Sequence, residues 1–207
     1  MEFLKFLENI RTPFFDTIFS LVTRFGEETI GIMILCAIFW CINKRIAYGI
    51  CVAYFLSGLT VQGMKICFRI DRPWVADPAF TPVPSALEHA TGYSFPSGHT
   101  QSAAALYGSL GAQIKHLPFK TICFLLVILV AFSRMYLGVH TPLDVFISLI
   151  ISALFILLTL KYLSGSPIDK KREFIAAIFM VLYVTIIIVI ATVLYFSGKI
   201  EEKYLSD

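Results

Sequence analysis

YSFPSGHTQS, residues 93–102, stands in a chain that is otherwise mostly Leu, Ile, Val and Phe, and it runs straight into Ala103-Ala104-Ala105. Pro96 and Ser97 fall where an apolar helix must begin, so free backbone N–H groups and the positive helix end gather there, a ready site for an anion. Gly98 lets a ligand approach the backbone, Ser97 adds a hydroxyl donor, and His99 can exchange a proton near neutral pH. Alone, the stretch reads equally well as a capped turn with an incidental histidine. Its surroundings decide between the two.

Those surroundings belong to a membrane. The 207 residues are 57% hydrophobic and only 15% charged, against about 25% charged in an ordinary soluble domain, and the mean hydropathy is +0.79. A crossing takes about 20 apolar residues, and six stretches qualify, at roughly 29–43, 46–65, 98–115, 120–138, 141–163 and 174–197. The first is short for a span and either crosses with little tilt or only dips into the bilayer. The expected fold is all-α, a polytopic membrane helical bundle of about six transmembrane helices preceded by an interfacial amphipathic segment. The expected division is 1–28 for that segment, 29–163 for the helical core, and 164–207 for a cytoplasmic linker, a final transmembrane helix and a tail.

In MEFLKFLENIRTPFFDTIFSLVTRFGEE, Phe3, Phe6, Leu7, Ile10, Phe14, Ile18 and Leu21 recur every three or four residues, with Glu2, Lys5, Glu8, Arg11 and Asp16 between them. That pattern is an amphipathic segment lying along the interface. Thr12-Pro13 restarts a helix, so two short helices are expected; a weakly hydrophobic first span is the other reading. No basic region, short apolar core and small-residue cleavage site opens the chain, so no removable signal peptide is expected. Cys36, Cys41, Cys51, Cys67 and Cys123 are scattered through apolar stretches without metal-ligand spacing and read as packing. The net charge of +3 is modest, and no basic, aromatic-interleaved surface invites nucleic acid.

Orientation rests on Lys and Arg in short loops. Lys44, Arg45, Lys115, Lys120, Lys161, Lys170, Lys171 and Arg172 fall on one side; Lys5, Arg11, Arg24, Lys65, Arg69, Arg72, Arg134, Lys199 and Lys203 fall on the other. The numbers nearly tie, but the first set sits in short connections hard against the spans, where the rule has most force, so that side is taken as cytoplasmic. Lys65, Arg69, Arg72 and Arg134 are then outward-facing cations in the loops that look least like plain connectors.

Three stretches carry chemistry. In KICFRIDRPW, Lys65 and Arg72 lie seven apart, two turns along one helical face before Pro73 ends the helix, an arrangement that suits a phosphate or mere snorkelling to lipid headgroups. The second is the opening stretch. In the third, SRMYLGVHTPLD, Thr141-Pro142-Leu143-Asp144 resembles a capping box, so Asp144 reads as a helix starter. His140 and Asp144 are also four apart, and a carboxylate on one imidazole nitrogen leaves the other as a nucleophile. Glu88 and His89, in the long loop before the opening stretch, read as solvated or as headgroup contacts. By topology the three stretches emerge on one side of the membrane.

Together, Lys65 with Arg72-Pro73, then Pro96-Ser97-Gly98-His99, then Ser133-Arg134 with His140 and Asp144, resemble the three motifs of the type 2 phosphatidic acid phosphatase superfamily, complete and in order. The resemblance covers residues 65 to 144. It implies a metal-independent, cofactor-free membrane lipid phosphatase, related in its site to vanadium haloperoxidases. His140 would be the nucleophile, Asp144 its orienting carboxylate, and His99 the acid on the leaving oxygen, with Lys65, Arg72, Ser97, Gly98 and Arg134 cradling the phosphate. Undecaprenyl pyrophosphate, phosphatidylglycerol phosphate and phosphatidic acid all fit as substrates, since the motifs read phosphate and not tail. The site is expected on the extracytoplasmic face of a multi-pass protein of the cell membrane. A lipid-linked phosphotransferase and a non-catalytic lipid transporter or scramblase are the alternatives.

Overall fold

A computed structural model describes residues 1–88, 90–163 and 170–197. His89, the 164–169 connection, and the tail 198–207 with Lys199 and Lys203 lie outside the described residues. The described residues are helices and loops. They run α1 (Glu2–Asn9), α2 (Pro13–Thr23), α3 (Glu28–Ala37), α4 (Lys44–Phe68), α5 (Pro73–Ala76), α6 (Gly98–Ala103), α7 (Ser109–Gln113), α8 (Leu117–Tyr136), α9 (Pro142–Leu163) and α10 (Lys170–Phe196). All six apolar stretches are helical. α4, α8, α9 and α10 are long and apolar enough to cross a membrane, and a fifth span arises if α2 and α3, bent by 53°, are taken as one broken crossing. This is a multi-pass membrane protein.

The remaining stretch differs in kind. α6 and α7 are joined by a π turn, Ala104–Gly108, into a run over residues 98–113, about 24 Å long at 1.5 Å per residue. That is short of the roughly 30 Å hydrocarbon core, but residues 100–109 are buried, so the run meets protein instead of lipid and needs neither full length nor an apolar outer face. Ala103, Ala104, Ala105 and Gly108 on this run, Ala47, Gly49, Ala53 and Ser57 on α4, and Ser148 and Ser152 on α9 are all buried. Small residues let membrane helices approach closely, and polar ones bind them together. Here Gln101 Nε2 donates to the Tyr54 carbonyl at 3.1 Å and to Ser57 Oγ at 2.8 Å, and Tyr54 donates to Ser102 Oγ at 3.1 Å. α10 packs mainly on α4, joined by a 2.7 Å Thr60–Tyr183 hydroxyl contact. All five cysteines are free.

The N-terminal segment is two helices, as the sequence indicates, with Thr12 capping α2 by accepting from Phe15 N at 3.4 Å. Phe3, Phe6, Ile10, Phe14, Ile18 and Leu21 are exposed on the protein and face outward, whereas Leu7 of the same series is buried, together with Leu4, because α1 also packs on the protein. The polar residues turn inward and fasten the segment to the loop beyond α5. Lys5 pairs with Asp77 at 2.8 Å, Glu8 accepts from Thr81 N at 2.9 Å, and Arg11 donates to the carbonyls of Tyr136, at 3.0 Å, and Thr81. Asp16 accepts from the Tyr136 hydroxyl at 3.0 Å.

Candidate active site

The C-terminal ends of α4 and α8 and the N-terminal ends of α6 and α9 converge at one end of the bundle, which brings the three motif stretches together. Between them lies a cavity of about 160 Å³ lined by Lys65, Arg72, Gly98, His99, Arg134 and His140, with Gly26, Glu28, Gln62 and Thr91. Two larger apolar clefts, of about 270 and 350 Å³, lie between α10 and its neighbours, on the face of α4 turned away from Gln62 and Lys65.

His140 is delivered by the turn between α8 and α9. Gly138 sits at φ +79°, where a Cβ would lie 2.6 Å from Arg11 Nη2 and 2.8 Å from the Phe80 ring, so glycine is required there. The chain then doubles back, and Val139 N and His140 N both donate to the Arg134 carbonyl, at 3.1 and 3.3 Å. Asp144 starts the helix and also faces His140. Asp144 N donates to Thr141 Oγ1 at 3.3 Å and Thr141 N to Asp144 Oδ2 at 2.8 Å, the reciprocal bonds of a capping box. The same Oδ2 accepts from Ser94 Oγ at 2.6 Å and lies 3.4 Å from His140 Nδ1.

The other ring nitrogen fixes the tautomer. His140 Nε2 lies 3.0 Å from Arg72 Nη1, and a guanidinium can only donate. Nε2 therefore carries a lone pair and Nδ1 the proton, directed at Asp144. Burial first, and then the cations of Arg72, Arg134 and Lys65, push the His140 pKa well below the ordinary histidine value. A neutral imidazole with an unprotonated Nε2 at the cavity is the form of the ring that is able to act as a nucleophile.

Arg72 does not reach the cavity by the route the sequence suggests. α4 ends at Phe68, and Arg69 caps it in the left-handed region at φ 51°, so Lys65 and Arg72 do not share a helical face. Arg72 is the extended residue before Pro73 at the start of α5, a backbone that a following proline favours. Its guanidinium is held by the Gly92 carbonyl at 3.0 Å, the Val139 carbonyl at 3.1 Å and the Thr91 carbonyl. Arg134 is buried, and its Nη1 donates to Thr23 Oγ1 at 2.7 Å. Arg134 Nε and His99 Nε2 are buried without a protein partner, a state that costs about 1–3 kcal/mol per group and that an anion in the cavity relieves.

Gly98 opens α6 at the cavity, and a Cβ there would meet nothing within 4 Å, which leaves room for a ligand. Ser97 is buried behind it as the helix cap, accepting from Thr100 N at 3.4 Å and Thr100 Oγ1 at 3.0 Å, while its own N–H donates to the Asp144 carbonyl at 3.2 Å. Ser97 thus ties the second motif to the third and does not itself line the cavity. Arg69 and Glu88 are not among the lining residues. Thr23, Gly26, Glu28, Gln62, Thr91 and Ser94 are not singled out by the sequence. Ser94 stands inside the opening stretch, three residues before Ser97, but a lone buried serine carries no signal of which carboxylate it will meet.

Residues 46–168 match the PAP2 superfamily, and this span contains all three motifs. The chain belongs to that superfamily. Among curated relatives, it is 35% identical over 92 residues to phosphatidylglycerophosphatase B of Bacillus subtilis (39% of this chain, 43% of that protein). It is 24% identical over 183 residues to an undecaprenyl-diphosphatase of Sulfolobus acidocaldarius (86% of this chain, 84% of that protein). The chain therefore spans less than half the length of the first and most of the second. Among solved structures, Aquifex aeolicus LpxE superposes with a TM-score of 0.63 at 28% identity, over 78% of this chain and 94% of that one. The family match leaves out α10 and the N-terminal residues Thr23, Gly26 and Glu28 that reach the site.

Proposed function

We propose that this chain is an integral membrane lipid phosphatase that removes the terminal phosphate of a lipid phosphate monoester or diphosphate through a phosphohistidine on His140. The observation that carries the reading is the His140 ring, with Nδ1 facing Asp144 at 3.4 Å and Nε2 at 3.0 Å from Arg72, beside a cavity that also holds Lys65, Arg134 and His99. His140 Nε2 attacks phosphorus, the bond to the lipid oxygen breaks in line, and His99 gives that oxygen a proton. His99 then takes a proton from water, the water oxygen attacks the phosphohistidine, and inorganic phosphate leaves. Arg72, Arg134 and Lys65 offset charge on the phosphoryl oxygens throughout, which is where most of the catalysis of phosphoryl transfer lies. The names of the relatives support a lipid phosphate as substrate, and the charge of the short loops supports a site on the extracytoplasmic face, with the lipid entering sideways between helices.

The test is phosphate release by the purified chain from a panel of lipid phosphates, alongside trapping of labelled phosphate on the protein in an acid-labile, alkali-stable linkage. Wild type is expected to release phosphate with added chelator, because Lys65, Arg72 and Arg134 supply the positive charge; His140→Ala is expected to lose both release and labelling. A folded wild type that releases no phosphate over the whole panel refutes the reading.

A further inference from the structure

Among the described residues that line the cavity, three are cations (Lys65, Arg72 and Arg134) and one, Glu28, is an acid. An acid in an anion site weakens phosphate binding, so its place matters.

The position of Glu28 sharpens this. A Cβ on Gly26 would lie 2.7 Å from the His99 carbonyl oxygen and 3.1 Å from His99 Cβ, so the junction between Gly26 and α3 is packed directly on the His99 wall. Glu28, the first residue of α3, is two residues further along the chain, lines the same cavity and is exposed, as is Gln62. His140 lies deeper, fully buried. In an in-line transfer the leaving group departs opposite His140, on the His99 side. For a monoester that place holds the first carbons of the alcohol and any hydroxyl or ammonium they bear. For a diphosphate it holds the second phosphate.

We propose that Glu28 is a specificity-determining residue that sets this site for lipid phosphate monoesters over lipid diphosphates, by repelling a second phosphate on the leaving-group side and accepting a hydroxyl or ammonium hydrogen there instead. This rests on the phosphatase reading above. Like charges several ångströms apart at the rim of a protein site interact strongly enough to change a rate by about tenfold. Because Glu28 is exposed, the selectivity also weakens as salt is added. The competing role for Glu28 is purely structural, since an acid in the first turn of α3 favours the helix. Losing that role changes the amount of folded protein and scales both substrates alike, so the ratio between them is the informative readout.

The experiment compares initial rates of the full chain in detergent on farnesyl phosphate and farnesyl diphosphate, which share a tail and differ by one phosphate. The first yields farnesol and phosphate, the second farnesyl phosphate and phosphate. Wild type is expected to show a kcat/KM about tenfold higher for the monophosphate, and more at low salt than at high. Glu28→Gln is expected to bring the ratio near one, and Glu28→Lys to reverse it. A wild-type preference for the diphosphate, or Glu28 variants that leave the ratio unchanged, overturns the role of Glu28 and leaves the phosphatase reading standing. A folded wild type inert toward both substrates and toward p-nitrophenyl phosphate overturns the phosphatase reading, and this inference with it.

Discussion

At the scale of single residues, His140 and His99 differ in what surrounds them. His140 has a partner on each nitrogen, Asp144 and Arg72, while His99 Nε2 has none. In the mechanism proposed above, the first ring is the one fixed for attack and the second the one left to meet the substrate. His140→Ala should therefore abolish hydrolysis of lipid phosphate and of p-nitrophenyl phosphate alike. His99→Ala should hurt the lipid substrate far more, because an alkoxide needs a proton and a nitrophenolate hardly does; loss of nitrophenyl turnover in His99→Ala with retention in His140→Ala would exchange the two roles. Ser94→Ala removes the 2.6 Å hydrogen bond to Asp144, and a bond to a charged group of that kind is worth about 1.5–3 kcal/mol. The expected result is a fall in kcat of roughly ten- to a hundredfold with KM nearly unchanged, in steady-state kinetics. The ring state of His140 can be read directly. Its pKa is lowered from 6.5, so the neutral form persists as pH falls through that value and is lost only at lower pH. Nitrogen NMR of the ligand-free protein, with His140→Ala for assignment, should find this ring neutral at pH 6.5, and an imidazolium there would refute the electrostatic account.

At the scale of elements, the site depends on how helices stop and start. The turn at Gly138 is the clearest case: Gly138→Ala meets a left-handed backbone, which costs an L-residue about 1–2 kcal/mol, and also pushes on Arg11 and Phe80. Thermal unfolding in detergent should report a loss of at least that size, with displacement of the N-terminal helices detectable as faster proteolysis before Pro13. Helix ends also mark what the sequence can and cannot reveal. Ser97 before Gly98, and Thr141-Pro142 with Asp144, are local signals, legible because a cap and the residue it serves lie within four positions. The joining of the three motifs comes from counting spans. The sequence misplaces Arg72 because nothing in KICFRIDRPW marks Arg69, a residue with a Cβ, as the left-handed stop. Thr23, Gly26 and Ser94 stay invisible because each acts through a contact with a residue distant in sequence, and periodicity records only which face is apolar.

At the scale of the molecule, the sequence reading assigns the first 28 residues to the membrane surface and the chemistry to residues 29–163, and the structure gives the N-terminal segment a further part. Most of its apolar side faces outward while Thr23 holds Arg134 and Gly26 backs His99, so one segment reaches from the outer surface of the protein to the site. That geometry requires the N-terminal helices and the loop carrying Arg72 to lie at the same membrane surface, and Lys5–Asp77 and Glu8–Thr81 join them there. Which surface that is depends on charge. Lys44, Arg45, Lys115 and Lys120 flank short connections at the opposite end of the bundle, and short-loop cations favour the cytoplasm. Single cysteines placed in a cysteine-free background distinguish the orientations. Ser85→Cys stands in the loop between α5 and α6 and Lys170→Cys at the start of α10, both at exposed positions. In intact cells an impermeant maleimide should label position 85 and spare position 170, and both should react once the membrane is permeabilised. The reverse pattern would turn the protein over, placing the cavity in the cytoplasm and restricting its substrates to lipid phosphates of the inner leaflet.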